Sequence, residues 1–340
     1  MDRSLERPAD RSFIGNLRRR LKRTREERAA DESFNYFSWT AICNDFKRNK
    51  WIYLMALPIL AFYIVFHYIP MYGATIAFRN FMPIRGIMDS PWVGLQHFQT
   101  FFGSVHAWRV IRNTFLLSFY SMLWGFPAPI IFALLLNEIN NTVFKRISQT
   151  LSYLPHFISV VVACALVITF VSSSGVVNDV IAFFAGEEAR RNLLMDPGNF
   201  RSIFIASEIW QGIGFGSIIY LAAIAGIDQE SYEAAIIDGA SRFKRCIHIT
   251  IPGIMPTIII LLILRMGMLM TVGFERVLLL QNPGIFETSD VIATFVFRRG
   301  ILDADWGFSA AVGLFNSVIN FAFVLSANFI SRKFSDTSLF

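Results

Sequence analysis

From residue 51 onward the chain alternates between long apolar stretches and short polar connectors. Residues 51–78, 113–137 and 147–178 contain no Lys, Arg, Asp or Glu. Residues 202–227 are interrupted only by Glu208, residues 246–274 only by Arg265, and residues 306–331 by no such charge. A helix crossing about 30 Å of hydrocarbon needs about 20 predominantly apolar residues, and every run meets that length. Strands of a membrane barrel would be about ten residues long and alternate in polarity, which these runs do not. The pattern predicts an all-α integral membrane protein with six transmembrane helices and both termini on one side.

Composition agrees. Hydrophobic residues make up 54% of the 340 and charged residues 16%, against about 25% charged in soluble globular chains. A soluble enzyme, a disordered chain and a secreted disulfide scaffold are excluded. Cys43, Cys164 and Cys246 lie far apart, with neither metal-ligand spacing nor a disulfide framework. The net charge of +6 comes with 13 Lys/Arg among the first 50 residues. Such a segment before a hydrophobic span reads as anchoring to membrane lipid rather than as a nucleic-acid site. Residues 1–50 are expected to form a cytoplasmic tail, with an aromatic interfacial helix at 34–46, and residues 332–340 a second, short tail. The six-span domain occupies 51–331. Basic flanks are equal in number on the two sides. The first helix breaks the tie, because Lys47, Arg48 and Lys50 outweigh Arg79 across it. The termini are therefore expected to be cytoplasmic.

The connector between spans four and five, about 227–252, carries the chemistry. Asp228 can cap a first short helix, Gly239 supplies a turn with a left-handed backbone, and Pro252 stands where the next helix can begin. Ala234, Ala235, Gly239 and Ala240 leave a face bare enough for another protein to approach closely. Glu233-Ala234-Ala235, three further residues, Gly239 and the downstream Ile249 and Pro252 resemble the signature loop of permease subunits of ATP-binding-cassette importers. Asp238 before the glycine and Ala240 after it resemble the carbohydrate branch. Phe144-Lys145-Arg146 leading into Tyr153-Leu154-Pro155-His156-Phe157-Ile158-Ser159 is similar to permeases of alginate-type polysaccharide and oligosaccharide uptake. So are Ile209 to Gly212, Gly273-Phe274-Glu275 and the tail Asp336 to Phe340.

That resemblance implies a six-helix, MetI-like permease of the bacterial inner membrane that works by alternating access. Its cytoplasmic coupling loop, with Tyr232, Glu233, Ala234, Ala235, Asp238, Gly239, Ala240, Arg242, Phe243 and Pro252, would dock on an ATPase. The implied partners are a second homologous permease, two ATP-binding-cassette ATPase subunits, an extracytoplasmic solute-binding protein and a glycan. No phosphate loop is present, so the chain is expected to be no enzyme and to hold no cofactor, with ATP and Mg bound by the partner ATPases. The rival class is an ion-coupled secondary transporter, which would be expected to show internal repeats and several intramembrane carboxylates.

Other signals are weaker. Gly212, Gly214 and Gly216 mimic part of a dinucleotide fingerprint but sit in an apolar helix, where close packing is the better reading. Pro127 and Pro129 should kink span two, and His67 and His156 are expected near span ends. Trp210, Gln211, Phe215, Tyr220 and Phe274 could line a glycan path, although packing is the commoner role for any one aromatic residue in so aromatic a chain. Glu208 and Arg265 fall at similar depth on consecutive spans. They read either as a structural pair or as a cavity-facing Arg265 that binds substrate.

Overall fold

The structure, a computed structural model, describes residues 45–334. Most of the 34–46 segment and the 336–340 tail lie outside these residues. Six helical segments are long and apolar enough to cross a membrane, and among the described residues the only β pairing is two isolated bridges, Arg79–Trp92 and Met82–Gly86. The chain divides into two units, Met1–Tyr72 and Gly73–Phe340. In the first, helix α1 (Lys50–Tyr63) runs into a wide π-helical turn, Ile64–Tyr68, and none of these residues is buried.

In the second unit, span two consists of α2 (Ala107–Tyr120), a π-helical turn at Ser121–Gly125 and α3 (Pro127–Asn137). The turn stands immediately before Pro127, whose ring and missing N–H a regular helix would not accommodate. Span four is one unbroken helix, α6 (Phe200–Ala225), and span six another, α11 (Trp306–Phe334).

Span three is not continuous. The segment long and apolar enough to cross, Val160–Ala185, opens with α5 (Val160–Val171) and is preceded by α4 (Thr142–Tyr153) and a short tight turn, Leu154–Phe157, containing Pro155. The Ile158 carbonyl accepts a hydrogen bond of 2.8 Å from the Gln211 amide, midway along α6, whereas Val171 packs with Phe200 at the start of α6. Segments α4 and α5 therefore run together along span four and are broken near its middle. Gly214 permits this closeness: a Cβ there would stand 2.0 Å from the Ser152 carbonyl oxygen.

Span five also departs from expectation. Its helix begins at α8 (Arg242–Arg245), capped by Ser241, passes through a π-helical turn at Cys246–Thr250 and continues as α9 (Ile251–Met266). Pro252 stands at the second position of α9, as expected, while the helical run as a whole begins earlier, at Arg242. The helix stops at Met266, and Phe274 begins a separate helix, α10 (Phe274–Leu280). Arg265 is accordingly in the last turn of span five.

Two apolar clusters anchor the starts of spans two, four and six, built around Phe200, Phe204 and Val277 and around Phe101, Phe295 and Phe308. A third, at the opposite ends, holds Ala133, Tyr220, Ile224 and Ile254. The connector after span five is locked down by Asp290, which is fully buried. Its carboxylate takes Arg298 at 2.6 Å and Arg109 at 3.3 Å. Asn113 donates to the Glu287 and Asp290 carbonyls and accepts from Arg201 at 3.1 Å. On the connector after span three, hydrogen bonds from Arg190 hold the Glu187 carboxyl below its ordinary range.

Removing one partner of a buried ion pair costs about 3–5 kcal/mol. Asp290→Asn should therefore lower the thermal midpoint of the purified protein in detergent by more than about 5 °C. An unchanged midpoint would show that Asp290 does not hold this connector.

Candidate functional site

Spans two, four and five meet at one polar node. Arg265 donates to Glu208 Oε1 at 2.8 Å and to Ser121 Oγ at 2.9 Å, and Ser121 donates to Glu208 Oε2 at 2.5 Å. Each element supplies its group for a local reason. The π-helical turn before Pro127 begins at Ser121, α6 is regular and carries Glu208 seven residues before Phe215, and the end of α9 leaves Arg265 at a helix terminus. A cation near a helix C-terminus is also favoured by the free carbonyls there. An unpaired charge in hydrocarbon costs about 2.5–3.5 kcal/mol on insertion scales, and here neither charge is unpaired.

The node separates two cavities. One, of about 320 Å³, extends along Gly125, Pro129, Gly212, Gly216 and Leu261 towards the loop between spans four and five. The other, of about 210 Å³, extends along Ser118, Phe204, Met268 and Val272 towards the opposite face. Glu208 and Arg265 line both. Arg265 keeps 45% of its side-chain surface exposed and Glu208 29%. So much exposed guanidinium is compatible with a water-filled cavity and not with lipid.

The loop between spans four and five is a capped helix followed by a tight stop. In α7 (Gln229–Ile237) the Asp228 carboxylate accepts from the Glu230 amide at 3.0 Å. At the other end Ala240 N–H donates to Ala235 O at 2.8 Å and Gly239 N–H to Ile236 O at 3.0 Å, with Gly239 at φ +72°. These are the paired hydrogen bonds of a Schellman ending, which needs a left-handed residue at the position of Gly239. Glu233, Ala234, Asp238, Gly239, Arg242 and Phe243 are exposed, while Tyr232, Ala235 and Ala240 are half-buried. The Tyr232 hydroxyl meets the buried Thr250 hydroxyl at 2.9 Å, fixing the loop to the base of span five.

The candidate path residues do not converge. Arg265 and the wall of the first cavity come together with Glu208, and Tyr220 closes that wall while itself 4% exposed. Trp210 instead faces a separate apolar groove with Leu166, Phe170 and Ile203. Gln211 is buried and bridges the Ile158 carbonyl and Arg276, which also donates to Ser207 at 2.9 Å. Phe274 packs on Phe297. Phe215 is exposed and stacks on His156, which lies in the turn four residues before the candidate span Val160–Ala185, near a span end as expected. Of the three glycines, Gly214 and Gly216 are packed, against Ser152 and Pro129, but Gly212 faces open space. Ser121, Arg276, Asp290 and Asn113 carry no sequence signal beyond their polarity; only the π-prone Gly125–Pro127 stretch could have drawn attention to Ser121.

Residues 125–336 match the family of binding-protein-dependent transport system inner membrane components. The chain is 42% identical over 304 residues to Protein LplB of Bacillus subtilis strain 168, covering 89% of this chain and 94% of that one. It is 38% identical over 294 residues to the polygalacturonan/rhamnogalacturonan transport system permease protein YteP of the same organism, covering 86% and 91%. A crystal structure of a bacterial ABC transporter that imports the acidic polysaccharide alginate contains a chain superimposing with a TM-score of 0.79 at 42% identity, over 86% of this chain and 98% of that one. These likenesses give the ion-coupled alternative no support. The chain belongs to the binding-protein-dependent transport system inner membrane components, the permease subunits of ATP-binding-cassette sugar importers.

Proposed function

We propose that this chain is one of two permeases in an importer of acidic oligosaccharides, and that the glycan passes the Glu208–Arg265 node. The observation that carries the reading is Arg265, whose guanidinium is presented to two cavities on either side of one ion pair. Its planar fork suits a carboxylate or a pair of hydroxyls. The relative named for polygalacturonan transport and the neighbour that imports alginate both handle acidic glycans, which favours the carboxylate. A second neighbour was solved with an alginate pentasaccharide-bound periplasmic protein, and a solute-binding protein would likewise deliver substrate here, on the face opposite the coupling loop.

The loop 233–239, with the exposed Ile236, Ile237 and Phe243, would enter a cleft of an ATPase subunit on the cytoplasmic side, together with both termini. Movement of the ATPases would reach the node through Tyr232, Thr250 and the helix from Arg242 to Met266. ATP and Mg would be bound by the ATPases, and no reaction is assigned to this chain.

Three outcomes are expected. Gly239→Val places a β-branched residue at φ +72°, where it is strained; uptake by the reconstituted complex should fall at least about tenfold while the permease still inserts, and normal uptake would remove the coupling role. Purified permease without ATPases should not be photolabelled by azido-ATP, and saturable labelling would return the chain to the enzymes. Arg265→Lys keeps the charge but loses the fork, so KM for an acidic oligosaccharide should rise about tenfold, the equivalent of one hydrogen bond at about 1.4 kcal/mol. A wild-type KM in that variant would take Arg265 off the path.

A further inference from the structure

Away from the node, another cavity of about 450 Å³ opens between the starts of spans two and six, on the face opposite the loop between spans four and five. Its wall carries three guanidiniums, Arg109, Arg298 and Arg299, against the carboxylates of Asp290 and Asp303. Arg299 is balanced locally, with Asp303 at 3.4 Å and, outside the wall, Asp305 at 3.7 Å. Arg109 and Arg298 are not. They share the one buried carboxylate of Asp290, and each reaches it through Nη2 alone. Even so, 32% and 26% of their side-chain surfaces stay exposed.

More donors in the same wall are unspent. Arg109 Nε and Arg298 Nη1 are buried without a hydrogen-bond partner, and the same holds for Ser104 Oγ. Such groups are costly unless an acceptor reaches them. His106 Nδ1 lies 3.2 Å from Arg109 Nη2, which can only donate, so Nδ1 accepts and the ring N–H is on Nε2. Donors gathered without acceptors specify an anion, and guanidinium forks match the oxygens of a phosphate or a carboxylate.

Depth and surroundings decide between these two. Arg109 is the third residue of span two, and Phe308, under the Arg299 guanidinium, is the third of span six. The cavity therefore sits less than one turn inside the spans, at the level of lipid headgroups. Its surroundings are apolar and exposed. Leu302 in the wall is 66% exposed, and Val105 and Trp108, which flank His106 and Arg109 in the chain, are 88% and 73% exposed. A soluble sugar acid gains nothing from such a rim, whereas a phospholipid lays its glycerol and first methylenes along it, and tryptophan is favoured at that level.

We propose that this cavity binds the phosphate of an anionic phospholipid, with Arg109 and Arg298 on the phosphate oxygens and Val105, Trp108 and Leu302 against the glycerol and upper acyl chain. Basic pockets between transmembrane helices hold phospholipid headgroups by the same attraction. An ammonium headgroup is disfavoured beside the two arginines, while the hydroxyls of phosphatidylglycerol can meet Ser104 and His106. The lipid phosphate balances the second guanidinium on Asp290 and so braces the connector after span five against spans two and six. The site is separate from the Glu208–Arg265 node, and the proposal stands whether or not a glycan passes there.

The test strips the full-length complex of lipid and titrates it in detergent with dioleoylphosphatidylglycerol, dioleoylphosphatidylethanolamine or inorganic phosphate, counting bound lipid by native mass spectrometry. The first phosphatidylglycerol should bind about tenfold more tightly than phosphatidylethanolamine, and Arg109→Gln should remove that preference, since a charge-assisted hydrogen bond is worth about that factor. Arg298 still pairs with Asp290 in that variant. Thr100→Trp keeps every charge and fills the cavity from an exposed position in its wall, and it should weaken binding as much. Equal affinity for the two lipids, or wild-type binding by both variants, would overturn the site. Displacement of phosphatidylglycerol by equimolar inorganic phosphate would make it a soluble-anion site and overturn the lipid. In membranes, p-benzoylphenylalanine in place of Trp108 should crosslink to phospholipid on irradiation. Crosslinking to the second permease or to the binding protein instead would make this face a protein contact and overturn the proposal.

Discussion

Two charges placed among apolar spans must be satisfied without bulk water, and much of the second unit is arranged around that need. Glu208 cannot move along an unbroken helix, so its partners come to it. Span two widens into a π-helical turn and delivers Ser121; span five ends at Met266 and delivers Arg265. The apolar core divides accordingly, with clusters towards each face and the node with its cavities between. The features that look like local irregularities are the means by which three spans reach one carboxylate.

The apolar runs and the Glu233-to-Gly239 loop were legible because each is a local property. Six spans follow from length and charge alone, and the Schellman ending at Gly239 follows from one glycine after a helical stretch. The break at Leu154–Phe157 was less legible, since 147–178 is charge-free throughout and hydropathy does not register a change of direction. Pro155 was the available sign. The early end of span five was hidden for the same reason, because Gly267–Phe274 carries no charge to mark it. Partners such as Asn113 with Arg201, or Asp290 with Arg109, come together over long separations, and no window of sequence contains them.

Trp210 and Phe215 show how little residue type alone decides. Both are exposed aromatics on α6, five residues apart. At 100° per residue that separation turns them away from each other, one towards the groove with Leu166 and Phe170 and the other towards His156. Gln211, between them, combines with Arg276 and the Ile158 carbonyl and is spent on holding the broken span in place. The sequence motif Ile209 to Gly212 thus mixes an outward ring, a structural amide and a glycine that opens the cavity.

The same helix that ends near Arg265 begins in the loop between spans four and five. From Arg242 to Met266 it is 25 residues long, about 37 Å at the usual rise. Tyr232 pins the loop helix to Thr250, about two turns after the Ser241-capped start of the span. A displacement of α7 is therefore opposed by a buried hydroxyl pair at one end of span five, and the first polar contact at the other end is the ion pair with Glu208. Because helices transmit axial and tilting motion far better than they compress, the loop between spans four and five and the node are the two ends of one mechanical element, and the ion pair is the contact on which that element closes.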